Sequence, residues 1–264
     1  MPRLHRITAA GFPQHIVQRG NNHGDCFFAE ADYVTYLRWL DRAARAYGVV
    51  LHAYVLMPKH VRLLATPTVE GGVSRMMQYL GRHYVQYINK THGRSGTLWE
   101  HRYHASVVET EAYLLTVYRF IELNPVRAGL VQAPEQYPWS SAKDHLALRE
   151  SSLILDHEMY MRLGGTSEER ARAYATLMNE PLKEGEHSQI CAAARQGGVL
   201  GSDQFKDQIE MQLGRRVRPG RRGRKPKQVR EQAWSPAPRV QARPLVLALL
   251  SLVPGLSQTA TRRK

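Results

Sequence analysis

Apolar and polar positions change period several times along the chain. HIVQRG (His15–Gly20) alternates and predicts a strand that ends at a glycine turn. Ala31 to Tyr47 carries apolar residues at helical spacing, with Asp32 near its start and Gly48 after its end. VVLHAYVLM (Val49–Met57) predicts a second strand, and HVRLLAT (His60–Thr66) a third beyond Pro58 and Lys59. Val73 to Asn89 predicts a second helix. LWEHRYHASVV (Leu98–Val108) predicts a strand, and Thr110 is placed as the cap of a helix ended by Pro125. The order β, α, β, β, α, β, α predicts an α+β fold: a ferredoxin-like antiparallel sheet with helices packed on it.

LMPKHVRLL (Leu56–Leu64) sets a histidine and an arginine into an apolar strand. Residues i and i+2 of a strand share a face, so His60 and Arg62 point the same way. Beyond YPWSSAKDH (Tyr137–His145) the pattern is helical to about residue 184, and His187 to Leu213 forms another helical segment around a tight LGSDQF turn. These boundaries predict a domain over 1–145, a helical extension over 146–213, and a basic, disordered tail over 214–264.

Charge sharpens this division. The 264 residues carry a net +14, which points to an anionic partner, nucleic acid first. Residues 201–264 hold 15 Lys and Arg against four acidic residues, so most of the excess lies at the end. GRRVRPGRRGRKPKQVR (Gly214–Arg230) has nine basic residues and no acidic one, a pattern for salt-sensitive phosphate contact. Cys26 and Cys191 lack metal-ligand spacing and suit a reducing cytoplasm. The N-terminal residues lack the apolar core of a signal peptide. Pro244–Leu256 is too short to span a bilayer, so no membrane role is expected.

FPQHIVQRGNN (Phe12–Asn22), AYVLMPKHVRLL (Ala53–Leu64), GTLWEHRYHASVV (Gly96–Val108), YRFIELNPVRAGLV (Tyr118–Val131) and PWSSA (Pro138–Ala142) occur in register. Together they resemble the REP-associated tyrosine transposases, a branch of the IS200-like HUH single-strand transposases. LGSDQF and the basic arm resemble that family's C-terminal part. The resemblance implies a cytoplasmic, nucleoid-associated bacterial protein, with the monomer favoured, that acts on single-stranded or hairpin DNA of repetitive extragenic palindromes. It implies a divalent metal, Mg or Mn, held by two histidines and a polar helix residue, and a tyrosine that forms a 5′-phosphotyrosine link.

Residue by residue, His60 matches the first metal histidine and Asn124 the polar helix ligand. Arg62 stands at the second histidine, and Phe120 at the nucleophilic tyrosine. A guanidinium has no free lone pair and stays charged, so Arg62 is no ligand; Phe120 has no oxygen. Tyr118 lies about 200° around the helix from Phe120, and Tyr113 about 10 Å along it. Neither replaces the nucleophile.

Two readings of Arg62 stand open: a chance loss of the ligand, or a fixed cation that clamps a phosphate in the metal's place. Either way DNA binding is expected to be kept and cleavage to be lost or weak. A non-catalytic regulator or architectural protein holding structured DNA is the alternative, and an RNA-binding role fits the charge. Candidate phosphate contacts are Arg19, Arg62, Arg82, Arg102 and Arg127, and in the arm Arg215, Arg216, Arg221, Arg222, Arg224, Lys225 and Lys227. Tyr79, His83, Tyr84 and Tyr87 are expected to pack one helix, and Trp99 and Trp139 to anchor the core.

Overall fold

A computed structural model describes residues 6, 7, 9–183 and 185–218. Five strands form one mixed sheet in the order β2-β3-β1-β4-β5. They are β1 (Gln14–Arg19), β2 (Val49–Met57), β3 (His60–Pro67), β4 (His104–Val108) and β5 (Val199–Leu200). The first four are antiparallel neighbours in the ferredoxin-like order; β5 adds to β4 in parallel.

Both faces of the sheet are covered, which explains why β2 is apolar throughout and does not alternate. On one face, α1 (Glu30–Ala46) and α2 (Gly72–Thr91) pack over Ile16, Leu51, Leu56, Leu63 and Ala65. Tyr84 and Trp99 are buried in this core, Tyr79 and Tyr87 pack at its margin, and Trp139 stacks on Tyr33 at 4.7 Å. On the other face, α3 (Thr110–Glu122) packs over Ala53, Val55, Met57 and Leu64.

The β2 edge is closed by later segments. Leu56 N–H donates to Trp139 O, Ser141 N–H to Tyr54 O, and Leu155 N–H to Leu51 O. An unpaired strand edge is thereby removed. At the register irregularity between Leu51 and Ala53, His52 bridges Leu155 O and Thr66 Oγ1, each at 2.8 Å.

Four expectations change. Only His104–Val108 of the predicted Leu98–Val108 strand is a strand; the earlier half is loop that runs past the end of β1, with a Gly20–Trp99 bridge and Glu100 N–H donating to Arg19 O. Thr110 is the first residue of α3 and not its cap. The preceding Glu109 turns its carboxylate to Ser202 N and Oγ at 2.7 and 2.9 Å. Pro125 does not end α3, which stops at Glu122; it opens the short α4 (Asn124–Arg127), where its missing N–H is harmless. The segment from His187 is not wholly helical, since β5 separates α8 (Glu186–Gln196) from α9 (Asp203–Leu213).

Residues after 145 also reach α3 through buried polar chemistry. Glu122, fully buried, accepts from Ser141 Oγ, from His145 Nδ1 at 2.6 Å and from Tyr174 OH at 2.8 Å. His145 closes α5 (Ala142–His145) and Tyr174 lies on α7 (Ser167–Asn179). Burial disfavours the imidazolium, but the Glu122 carboxylate, with Asp156 and Asp144 behind it, outweighs burial and holds His145 above its ordinary value.

The pair's pH contribution is therefore complete below about pH 6.5 and is lost as pH rises through the folded value. Urea unfolding midpoints are expected to fall as pH rises on that side. Glu122→Ala is expected to cost about 3–5 kcal/mol at pH 6 and to abolish that slope. A variant with the parental midpoint would contradict this assignment.

Candidate functional site

Strand pairing decides which side chains meet. Arg19 of β1 lies opposite His60 of β3, and Val17 opposite Arg62. Met57 and Val55 of β2 flank the same two residues. Since side chains alternate, His15, Val17 and Arg19 share the face of His60, Arg62 and Leu64. This is the face that α3 crosses, and it brings Phe120 onto the strands beside His15 and Arg62.

The end of the sheet is shaped by two turns. Pro58 and Lys59 join β2 to β3, since Met57 pairs with His60. The turn from Gly20 to Gly24 lies against them: Gly20 N–H donates to Lys59 O and Cys26 N–H to Pro58 O. Any side chain at Gly20 would bring a Cβ within 2.1 Å of Gly24 O, so glycine permits this close approach. Between the turns and the strand ends is an open cavity of about 210 Å³, lined by Arg19, His23, Lys59, His60 and Arg62.

The structure brings His60 and Asn124 together, as the resemblance implies. Asn124 Nδ2 donates to His60 Nε2 at 3.3 Å. Burial, then the charges of Arg62 and Arg19, push His60 down to about 3. The imidazole is therefore neutral near pH 7.

Arg62 is 8% exposed. Its Nη1 approaches His15 Nε2 at 3.5 Å, and its Nε has no hydrogen-bond partner among the described residues. The guanidinium stacks at 4.8 Å on the Phe120 ring, whose environment also includes Arg127, again at 4.8 Å. Burial drives Arg62 down to about 10, eased by the Cys191 thiol and reinforced by Arg127 and Arg19. No carboxylate is among these electrostatic neighbours.

Phe120 is fully buried. The His15 ring meets it edge-on at 5.7 Å and the His187 ring at 5.3 Å, while Arg127 donates to its carbonyl oxygen. Tyr118 is buried in the same core, with its ring against His145, Tyr160 and Tyr174. Tyr113 packs at that core's margin.

The other predicted contacts scatter. Arg82 is exposed on α2, across the sheet from Phe120, and Arg102 is exposed in the loop before β4. Beyond α9, Arg215 donates to Arg6 O and Arg216 is exposed. Arg221, Arg222, Arg224, Lys225 and Lys227 lie outside the described residues, as does Pro244–Leu256. No described helix is long and apolar enough to cross a membrane.

Sequence reasoning missed His15, Lys59, His187 and Cys191. Alternation along β1 could have found His15, two steps from Val17 on the face of Arg19. No signal in the sequence placed α8 over Phe120.

These donors do not fit a divalent cation. The His60 Nε2 lone pair is occupied by an amide N–H, and Asn124 turns that same amide inward. Arg62 and Arg19 add positive charge where a cation would sit. Among the described residues, no three His, Cys, Asp or Glu side chains converge to hold a metal. The set is instead suited to an anion, because guanidinium and ammonium groups donate in several directions and accept in none.

The profile of the IS200-like transposase family matches residues 10–124. Among solved structures, a REP-associated tyrosine transposase bound to a REP hairpin is 16% identical, with a TM-score of 0.48 over 60% of this chain and 99% of that one. A protein from Deinococcus radiodurans R1 assigned as a transposase is 19% identical, with a TM-score of 0.32 over 46% of this chain and 95% of that one. No curated protein matches the chain. Residues 10–124, whose strands and helices follow the order read from the sequence, are thus a segment similar to the IS200-like transposase family.

Proposed function

We propose that the protein binds single-stranded or hairpin DNA of repetitive extragenic palindromes, as a REP-associated member of its family, and cleaves it weakly or not at all. The five motifs in register support the branch. The observation that carries the binding reading is Arg62: a guanidinium 8% exposed, without a carboxylate neighbour, on a cavity that also presents Arg19 and Lys59. Burying a charge without a counter-charge is unfavourable, and a DNA phosphate would supply one. This favours the fixed-cation reading of Arg62 over chance loss.

Cleavage through a phosphotyrosine needs an oxygen nucleophile in line with phosphorus. Phe120 offers none, and Tyr118 is enclosed elsewhere. The chain's own residues would bind and orient the phosphate: Arg62 from the floor, Arg19 and Lys59 from the rim, with His15 accepting from Arg62 to hold its plane. The basic arm over 214–230 adds contacts that follow the strand without reading its sequence. The protein acts as a monomer in the cytoplasm, on the nucleoid. A regulator of structured DNA is the second reading, favoured by the same missing nucleophile.

A labelled hairpin library with Mn²⁺ tests the catalytic half. The parent, Phe120→Tyr and Arg62→His are expected to leave the substrate whole. The double variant is expected to cut and trap a covalent adduct. Cutting by the parent would overturn the assignment of Phe120. Anisotropy across a KCl series tests the arm. Replacing its nine basic residues with Gln is expected to flatten the log–log salt slope by about 0.7 per lost phosphate contact, and an unchanged slope would exclude the arm from binding.

A further inference from the structure

The cavity beside His60 shows more than a general liking for DNA. Its lining contains two arginines, a lysine and two histidines, and no acidic side chain. Arg19 and Lys59 stand exposed at its rim, where water screens them. Arg62 is buried in its floor, and its Nε is unpartnered among the described residues. The guanidinium is held by the Phe120 ring on its face, His15 Nε2 at its edge and the Cys191 thiol, none of them a carboxylate. The site is therefore built to keep a cation in place without a carboxylate to answer it.

The charge of the missing anion can be argued from this set. An internal phosphodiester carries one negative charge on two free oxygens. Set among Arg19, Lys59 and Arg62, it would leave most of the positive charge unanswered. A phosphomonoester carries about −1.5 to −2 near neutral pH and presents three oxygens. It gives each of the three cations an acceptor, and its extra charge counts most against Arg62, where the surroundings are least polar. The cavity is about 210 Å³ and is flanked by the Gly20–Gly24 turn and the Pro58–Lys59 turn.

We infer that this cavity is a receptor for the terminal phosphate of a nucleic-acid strand, clamped by Arg62 with Arg19 and Lys59. The inference rests on the DNA-binding reading and narrows it from backbone phosphate to a phosphorylated end. The geometry names the phosphomonoester; whether it comes from the 5′ or the 3′ end is a matter for the test.

One hairpin oligonucleotide is prepared with a 5′-phosphate, with a 3′-phosphate and with neither, and its binding is measured by fluorescence anisotropy in EDTA. One phosphorylated form is expected to bind the parent protein about tenfold more tightly than the unphosphorylated form. Arg62→Met, which keeps an unbranched apolar stem and removes the charge, is expected to abolish that preference. Thermal unfolding checks that the variant is folded, and inorganic phosphate should reduce the preference in the parent, which needs no variant at all. Equal affinity of the parent for all three oligonucleotides would overturn the inference while leaving the DNA-binding reading intact. Failure to bind any of the three would overturn both.

Discussion

A guanidinium held inside a protein without a carboxylate is the constraint around which this site is organised. Arg62 cannot lose its charge near neutral pH, even though burial brings it down to about 10. Its surroundings offer only partial relief: an aromatic face from Phe120, a ring nitrogen from His15 and a thiol from Cys191. The same charge keeps His15 and His60 neutral, since both lie under its field as well as under burial. The end of the sheet is thereby electropositive and suited to an anion.

The rest of the fold serves to hold that face rigid. The antiparallel register sets Arg19, His60 and Arg62 at one end of adjacent strands. Gly20 lets the Asn21–Gly24 turn lie down on the β2–β3 hairpin, which closes the cavity's side. The segment Trp139–Ser141 covers the β2 edge, and the buried Glu122 draws Ser141, His145 and Tyr174 to the end of α3. That network fixes the end of α3 two residues from Phe120 and two from Asn124. Residues beyond 145 thus help position the site even though none of the described ones lines the cavity.

The order of strands and helices through α3 was legible in the sequence because hydrophobic period changes cleanly there. β5 was not, because two residues beside Gly197 and Gly198 give no period, and their pairing depends on β4. Leu98 to Tyr103 looked extended because its apolar residues are buried, yet they fill the core from a loop. In the site, the shared face of His60 and Arg62 followed from strand alternation alone. The His60–Asn124 contact followed from the family's motifs. His187 and Cys191 are 67 and 71 positions from Phe120, and only the packing of α8 brings them near it. Lys59 was hidden because it sits in a turn whose position depends on Gly20.

The central claim is that the Arg62 guanidinium receives a DNA phosphate where a metal would otherwise sit. Nitrogen-15 NMR of the arginine side chains tests it directly, on the parent protein titrated with a hairpin oligonucleotide in EDTA. The Arg62 Nε–H resonance, assigned by its loss in Arg62→Lys, is predicted to move on saturation and to exchange more slowly with water. An Arg62 signal that stays still while other arginine signals shift would contradict the account.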